Sequence, residues 1–295
     1  MPPLAGALVA AALTSAIGAT AASIVGALVS AALSFVAQAL LRPPQVQPSQ
    51  QAQSSAPTID NKITVRQATA PRQIVYGETR GGGVYALVHT TDNNTWLHLV
   101  ICCAGHEIEE FTEIWFNDEA VTLSGRTVVS GKFANKAHIN KHLGASDQAA
   151  DATLIAESAG AWSTSDRLRG IAYLYVRLDW DATVYAAGIP NITAVMKGKN
   201  DVYDPRDDST GWSSNSALCV ANYLCDTRYG VPVDYATGID ETALIAAANS
   251  CDENVTLAAG GTEKRYSTDG GLLSSSQPQE ILGRLLGAMH GRAPD

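Results

Sequence analysis

The chain lacks most of the patterns that announce chemistry. It has no G-x-S-x-G turn, no H-E-x-x-H and no convincing pair of carboxylates for acid–base work. Its one glycine-rich stretch, "GETRGGG" at 77–83, has neither the Lys-Ser/Thr of a phosphate-binding loop nor G-x-G-x-x-G spacing, and reads as a tight hairpin. Basic side chains are scarce. Lys and Arg number 20 against 29 Asp and Glu, for a net charge of −9, and no basic stripe offers itself to phosphates, which excludes a broad nucleic-acid surface. The five cysteines are odd in number, scattered and without a C-x-x-C pair. They suit synthesis in a reducing cytoplasm, with buried Cys acting as a small hydrophobe. Three N-x-[ST] sequons, at Asn93, Asn191 and Asn254, carry no weight without a secretory context.

The longest absence is one of charge. No ionisable side chain occurs between Met1 and Leu41, in a text dominated by Ala, Gly and Ser. That run exceeds the roughly 20 residues that span a bilayer. It is also too long for a secretory h-region and has no basic n-region. An apolar helical segment is expected over 1–42, either inserted in a membrane or buried against like helices along an Ala/Gly seam. Residues 43–60, rich in Pro, Gln and Ser, read as an extended tether.

The remainder is an ordinary globular body, in a chain of 46% hydrophobic composition overall. Residues 61–200 are β-rich, with strands expected at Ile63–Arg66, Gln73–Tyr76, Val84–His89, Trp96–Cys103, Glu113–Phe116, Thr127–Phe133, Gly170–Leu178 and Ile192–Met196. Turn signals "TDNN" at 91–94, "FNDE" at 116–119 and "AAGIPN" at 186–191 separate them. One helix is expected to begin at Ser146. From 201 to 295 the pattern is helical: "SSNSALCVANYLCD", then "IDETALIAAANSCDE" with Asp240 as N-cap and Ile239 and Leu244 as a staple, then "SQPQEILGRLLGAMHGR" with Ser276 and Gln279 at capping-box spacing. The fold class is therefore α+β: an antiparallel sheet or barrel succeeded by a helix-rich C-terminal part, all preceded by an apolar N-terminal helix.

The most chemical-looking stretch is "LHLVICCAGHEIEE", Leu97–Glu110. As a strand, it puts Trp96, His98, Val100 and Cys102 on one face and Leu97, Leu99, Ile101 and Cys103 on the other. The adjacent thiols then point apart, and His98 and Cys102 stand roughly 13 Å from each other at about 3.3 Å per residue. Zinc needs its ligands within about 2.0–2.3 Å, so neither pair makes a site. A thiol nucleophile using His106 as base remains as an enzymatic alternative. "DVYDPRDDSTGW", Asp201–Trp212, clusters four aspartates but does not match the EF-hand spacing, and reads as a solvated loop with Arg206 beside Asp207 and Asp208.

Several segments then read together in order: "VRQATAPRQIVYGETRGGGVYALVHT", "WLHLVICCAGHEIEEFTEIWFNDEAV", "VYDPRDDSTGWSSNSALCVANYL" with "YGVP", "IDETALIAAANSCDE" and "QPQEILGRLLGAMHGR". From about Thr64 to Arg292 the chain resembles the N-terminal part of the tail tip protein J family of long-tailed bacteriophages, the central tail hub or host-specificity proteins. Where that family has an apolar pair, this chain has Cys102-Cys103. The resemblance implies a structural protein rather than an enzyme, with no catalytic residue, cofactor or metal. It implies β-barrel-like hub domains and a homotrimer at the distal end of the tail tube, contacting distal tail, tape-measure and other tail-tip proteins. Family members are much longer, so the sequence is expected to be an N-terminal portion with host-attachment regions beyond it. The apolar segment, outside the match, is expected in the tube lumen or in the host membrane during DNA delivery. Two alternatives stay open: a tail-associated cysteine peptidase or muramidase, and a membrane pore-forming protein.

Overall fold

The computed structural model describes residues 70–290. The apolar segment 1–42, the linker 43–60 and the strand expected at Ile63–Arg66 lie outside the described residues. Among the described residues no helix is long and apolar enough to cross a membrane.

The described residues form sixteen strands and five α-helices. In chain order the strands are β1 (Gln73–Tyr76), β2 (Glu78–Gly81), β3 (Val84–Thr91), β4 (Trp96–Ala104), β5 (Ile108–Phe116), β6 (Glu119–Val121), β7 (Leu123–Ser124), β8 (Thr127–Val128), β9 (Ala137–His142), β10 (Ala172–Asp179), β11 (Ile192–Lys199), β12 (Val202–Asp204), β13 (Ser209–Gly211), β14 (Asn254–Thr256), β15 (Thr262–Lys264) and β16 (Gly270–Leu273). The helices are α1 (Ala152–Glu157), α2 (Ser216–Cys225), α3 (Tyr235–Gly238), α4 (Glu241–Cys251) and α5 (Pro278–Gly287). The class is α+β, as expected: a mostly antiparallel sheet body with a C-terminal helical part. Among the described residues the sheets stay open and form no closed barrel.

A six-stranded sheet, ordered β3-β4-β10-β9-β8-β7, faces a four-stranded one, ordered β2-β11-β5-β6. Their inward residues share one core: Leu99, Ile101 and Cys103 from β4, Leu174 and Val176 from β10, Phe111 and Ile114 from β5, Ile192 and Met196 from β11. The chain changes sheet between β4 and β5 and again between β10 and β11, so each sheet takes one strand of each connection. β3 and β4 form a hairpin whose loop holds Asp92, Asn93 and Asn94 at positive φ, where short polar side chains are tolerated. The "GETRGGG" stretch is not a hairpin. β2 pairs with β11 and β3 with β4, so the glycines carry the chain from one sheet to the other. The reason for glycine is proximity: a Cβ on Gly83 would stand 2.5 Å from the Cys102 carbonyl oxygen.

The helical part is built on α2, buried on nearly every side and packed by α4 and α5. Asn215 caps α2, its side chain accepting from the Ala217 and Leu218 N–H groups. Asp240 caps α4, and Ile239 and Leu244 meet in the same core. The expected capping box at Ser276 and Gln279 does not form. Gln277 occupies the cap position without a side-chain bond, and Pro278 opens the helix, where its missing N–H costs nothing. The helix expected from Ser146 begins only at Ala152, capped by Asp151.

β1 joins the two cores. It pairs with β16 of the helical part, and its side chains alternate between them: Ile74 and Tyr76 enter the helical core while Val75 enters the sheet core. Gly198 lets β11 approach: a Cβ there would lie 2.1 Å from the Val75 carbonyl oxygen.

Candidate functional site

Strand alternation separates the two thiols as expected. Cys103 lies in the sheet core, and Cys102 packs on the outer face with Val100, Leu154, Trp162, Tyr173 and Tyr175. A register shift opposite Ala172 and Tyr173 leaves Cys103 as the extra residue of β4, yet the side chains keep opposite faces. Burial pushes the Cys102 thiol up to about 11 and the Cys103 thiol higher still. Both are thiols at neutral pH, the unreactive form.

His106 is not a base waiting for a proton. Its Nε2 accepts the Val75 N–H at 2.8 Å, and its Nδ1 donates to the Glu107 carbonyl at 2.6 Å. Both nitrogens are committed to backbone, and burial depresses the imidazole to about 4. The histidine that shares a row with Cys102 is a different one. Cys102 pairs with Tyr173 on β10, and Tyr173 with His142 on β9, so Tyr173 stands between thiol and imidazole. The His142 and Tyr173 rings stack at 4.3 Å, and His142 Nε2 donates to Asp151 at 2.6 Å. Asp151 in turn caps α1 and accepts from Asn140. Its burial raises its pKa, but these bonds outweigh burial and hold it below the usual carboxylate range. The row fixes α1 on the sheet.

A polar network occupies the rest of that face. Glu157, at the end of α1, accepts from Arg126 at 2.9 Å, Arg177 at 2.8 Å and the Tyr175 hydroxyl at 2.7 Å. Tyr175 accepts from His98 Nδ1, whose Nε2 accepts from Thr91. Arg177 continues to Asp179, and Asp179 to His138. Burial and the Glu157 bond keep Tyr175 protonated far above its ordinary range.

A cleft of about 430 Å³ opens where the sheet body meets the helical part, lined by His106, Lys199, Asp201, Asn222, Asp226 and Tyr229 among others. Lys199, only 4% exposed at its side chain, donates to Asp226 at 2.5 Å and lies 3.5 Å from Asp201. Burial pushes the Asp226 carboxyl up, but the Lys199 bond and charge hold it down. Asp226 also accepts the Arg228 and Tyr229 N–H groups, and the Tyr229 hydroxyl reaches the Gly105 carbonyl at 2.8 Å. Tyr76 donates to Asn222 at 2.8 Å. The cleft therefore ties β1, the turn after β4, β11 and α2 together. No periodicity pointed to Lys199 or Asp226, since one ends a strand and the other succeeds a helix.

The aspartate stretch forms the β12–β13 hairpin, not a free loop. Arg206 pairs with Asp204 and Asp252 rather than with Asp207 or Asp208, which pins the hairpin to the end of α4. Asp208 accepts from Tyr203. Among the described residues, no group of three or more His, Cys, Asp or Glu gathers to hold a metal.

No family model matches the chain, and no curated protein matches it. A solved structure titled as the virion of a native gene transfer agent particle contains a chain similar to it at 15% identity, with a TM-score of 0.42. That similarity covers 90% of this chain and 58% of the other.

Proposed function

We propose that the chain is a structural component of a bacteriophage tail tip, a trimeric hub that closes the distal end of the tail tube. It contacts distal tail and tape-measure proteins and carries host-attachment regions beyond this segment. In this reading residues 61–200 and 201–295 are two hub domains, tethered by 43–60 to an apolar segment that sits in the tube lumen, or in the host membrane during DNA delivery. The protein is made in the host cytoplasm and ends in the virion, without cofactor or catalytic role.

The observation that supports this most is how the segments resembling the tail tip family are used. "RQIVYGE" supplies β1, "CCAGHE" supplies His106, and "SSNSALCVANYL" with "YGVP" supplies α2 and the loop bearing Tyr229. They converge on the seam between the two cores, and their polar groups are spent on backbone and on each other. Residues used this way make a rigid frame. The cysteine-peptidase alternative gains nothing, because the His106 nitrogens are occupied and the thiols protonated. The test is to locate the chain in assembled tails: antibody or density at the distal tip supports the reading, and location in the head or outside the particle overturns it.

A further inference from the structure

β3 borders the six-stranded sheet without the usual protection of an edge. It runs for 8 residues, "VYALVHTT", with no Lys, Arg, Asp, Glu or Pro. Proteins blunt such an edge with charge, proline or brevity, because its free N–H and C=O groups template pairing. The other edges of the two large sheets obey that rule: β7 has 2 residues, β6 has 3 and carries Glu119, and β2 has 4 with Glu78 and Arg80. Among the described residues no strand pairs with the outer edge of β3.

The chain enters the described body at one end of that edge. The Gln73 carbonyl accepts the Gly105 N–H at 2.8 Å, and a Cβ on Gly105 would stand 2.7 Å from the Arg72 Cβ. Gly105 directly follows β4, whose Cys102 pairs with Val84 at the start of β3. A Cβ on Gly81, just before β3, would meet the Gln73 side-chain amide at 3.3 Å. Arg72 therefore lies at the Val84 end of β3, and a chain reaching it from the Thr91 end runs antiparallel to β3. The residues that lead there read as a strand: Ile63–Arg66, "ITVR", puts Ile63 and Val65 on one face and Thr64 and Arg66 on the other. Arg66 is tied to Ala70 within about 13 Å, at about 3.3 Å per residue. Extended back from Ala70, the chain reaches Ile63 after about 23 Å, close to the roughly 26 Å that β3 spans.

We propose that Ile63–Arg66 adds to the outer edge of β3 in its own chain, as an antiparallel seventh strand. The short link to Ala70 makes this pairing intramolecular, at an effective concentration of about millimolar, which favours this segment over a second copy at ordinary protein concentrations. Strand addition supplies main-chain hydrogen bonds to both partners. It also fixes where the 43–60 tether departs. The tether leaves at the Thr91 end of β3, beside Trp96 and the Asp92–Asn94 turn, opposite the end where β1 joins the helical part. This deepens the hub reading by naming the end of the body from which the apolar segment extends, and rests on that reading only for the segment's destination.

The experiment is hydrogen exchange on the full chain, resolved to single amides. Alternate N–H groups of a strand point to opposite neighbours, so half of the β3 amides bond β4 and half face outward. In the wild type the outward set is expected to exchange about tenfold or more slower than an unstructured peptide. The variant T64P/V65P removes a donor from each edge of the segment, whichever faces β3. In it the outward set is expected to speed up about tenfold or more, while the amides of β10, in the middle of the sheet, stay protected. Outward amides that exchange like an unstructured peptide in the wild type, or equally slowly in the variant, overturn the inference. Protection that disappears on dilution assigns the edge to a second copy and overturns it too. If β10 loses protection in the proline variant, I63G/V65G takes its place with the same expected direction, since it weakens the strand and keeps every donor. These readouts need no assembled tail, so their failure overturns the strand addition alone, and the hub reading fails separately on the location of the chain in tails.

Discussion

His106 and Val75 meet across the seam of the molecule: the imidazole Nε2 accepts the Val75 N–H at 2.8 Å, and Val75 belongs to the strand that feeds both cores. The bond requires neutral imidazole. Burial holds the folded pKa near 4, well below the unfolded value of about 6.5. The unfolded chain therefore binds the proton first, and this group's contribution is complete above about pH 6.5 and lost as pH falls towards 4. The full effect is of order 3 kcal/mol. Urea unfolding at pH 7 and pH 5 should show the wild type losing about 2 kcal/mol more than His106→Gln over that interval. Equal losses would contradict the assignment.

The Lys199–Asp226 pair joins the end of β11 to the end of α2. Lys199→Met leaves a buried carboxylate without its cation, at a cost of about 3–5 kcal/mol. Adding Asp226→Asn should recover part of that loss, because the amide keeps an acceptor for the Arg228 and Tyr229 N–H groups but carries no charge. A double variant no more stable than Lys199→Met in denaturant titration would contradict the pairing.

Gly198 has no room for a methyl. Gly198→Ala would press Cβ to within 2.1 Å of the Val75 carbonyl, and two backbones would have to part. Overpacking costs about 1–3 kcal/mol or more, so Tm should fall by roughly 5 °C or more. An unchanged Tm would mean that β1 and β11 are not in close contact.

The cysteines are expected to be dispensable. Cys102→Ala should leave fold and assembly intact. Thiol reagent should label Cys102 slowly, and Cys103 only on unfolding, since Cys103 is 2% exposed. Rapid labelling of either with loss of an enzymatic activity would revive the peptidase alternative.

Elements with strong local signals were legible from the sequence. β1 was expected at Gln73–Tyr76 and is found there, and Asp240 caps α4 as expected. The opposite faces of Cys102 and Cys103 also came from alternation alone. What failed was long-range. "RGGG" looks like a hairpin, but nothing local says that β2 pairs with β11 across 113 residues, as the Arg80–Thr193 contact illustrates. β6 and β7 were missed because strands of 3 and 2 residues are too short to alternate, and of the strand expected at Thr127–Phe133 only Thr127–Val128 forms, Gly131–Phe133 being a turn of 3-10 helix. His106 was noticed for the wrong reason: its value lies in an N–H acceptor for Val75, 31 residues earlier. Lys199 and Asp226 were invisible, because burial of a charge pair is a property of the assembled core.

Deleting residues 1–41 tests the role assigned to the uncharged segment. The truncated protein should keep the urea midpoint of the body, while tails assembled with it fail in completion or DNA delivery. Normal infectivity of the deletion would contradict that role.

The most direct measurement is the copy number and position of this chain in assembled tails, by electron microscopy with imposed and unimposed symmetry. The account predicts three copies around the axis at the distal end of the tube. A different copy number, or a location away from the tail tip, would contradict it.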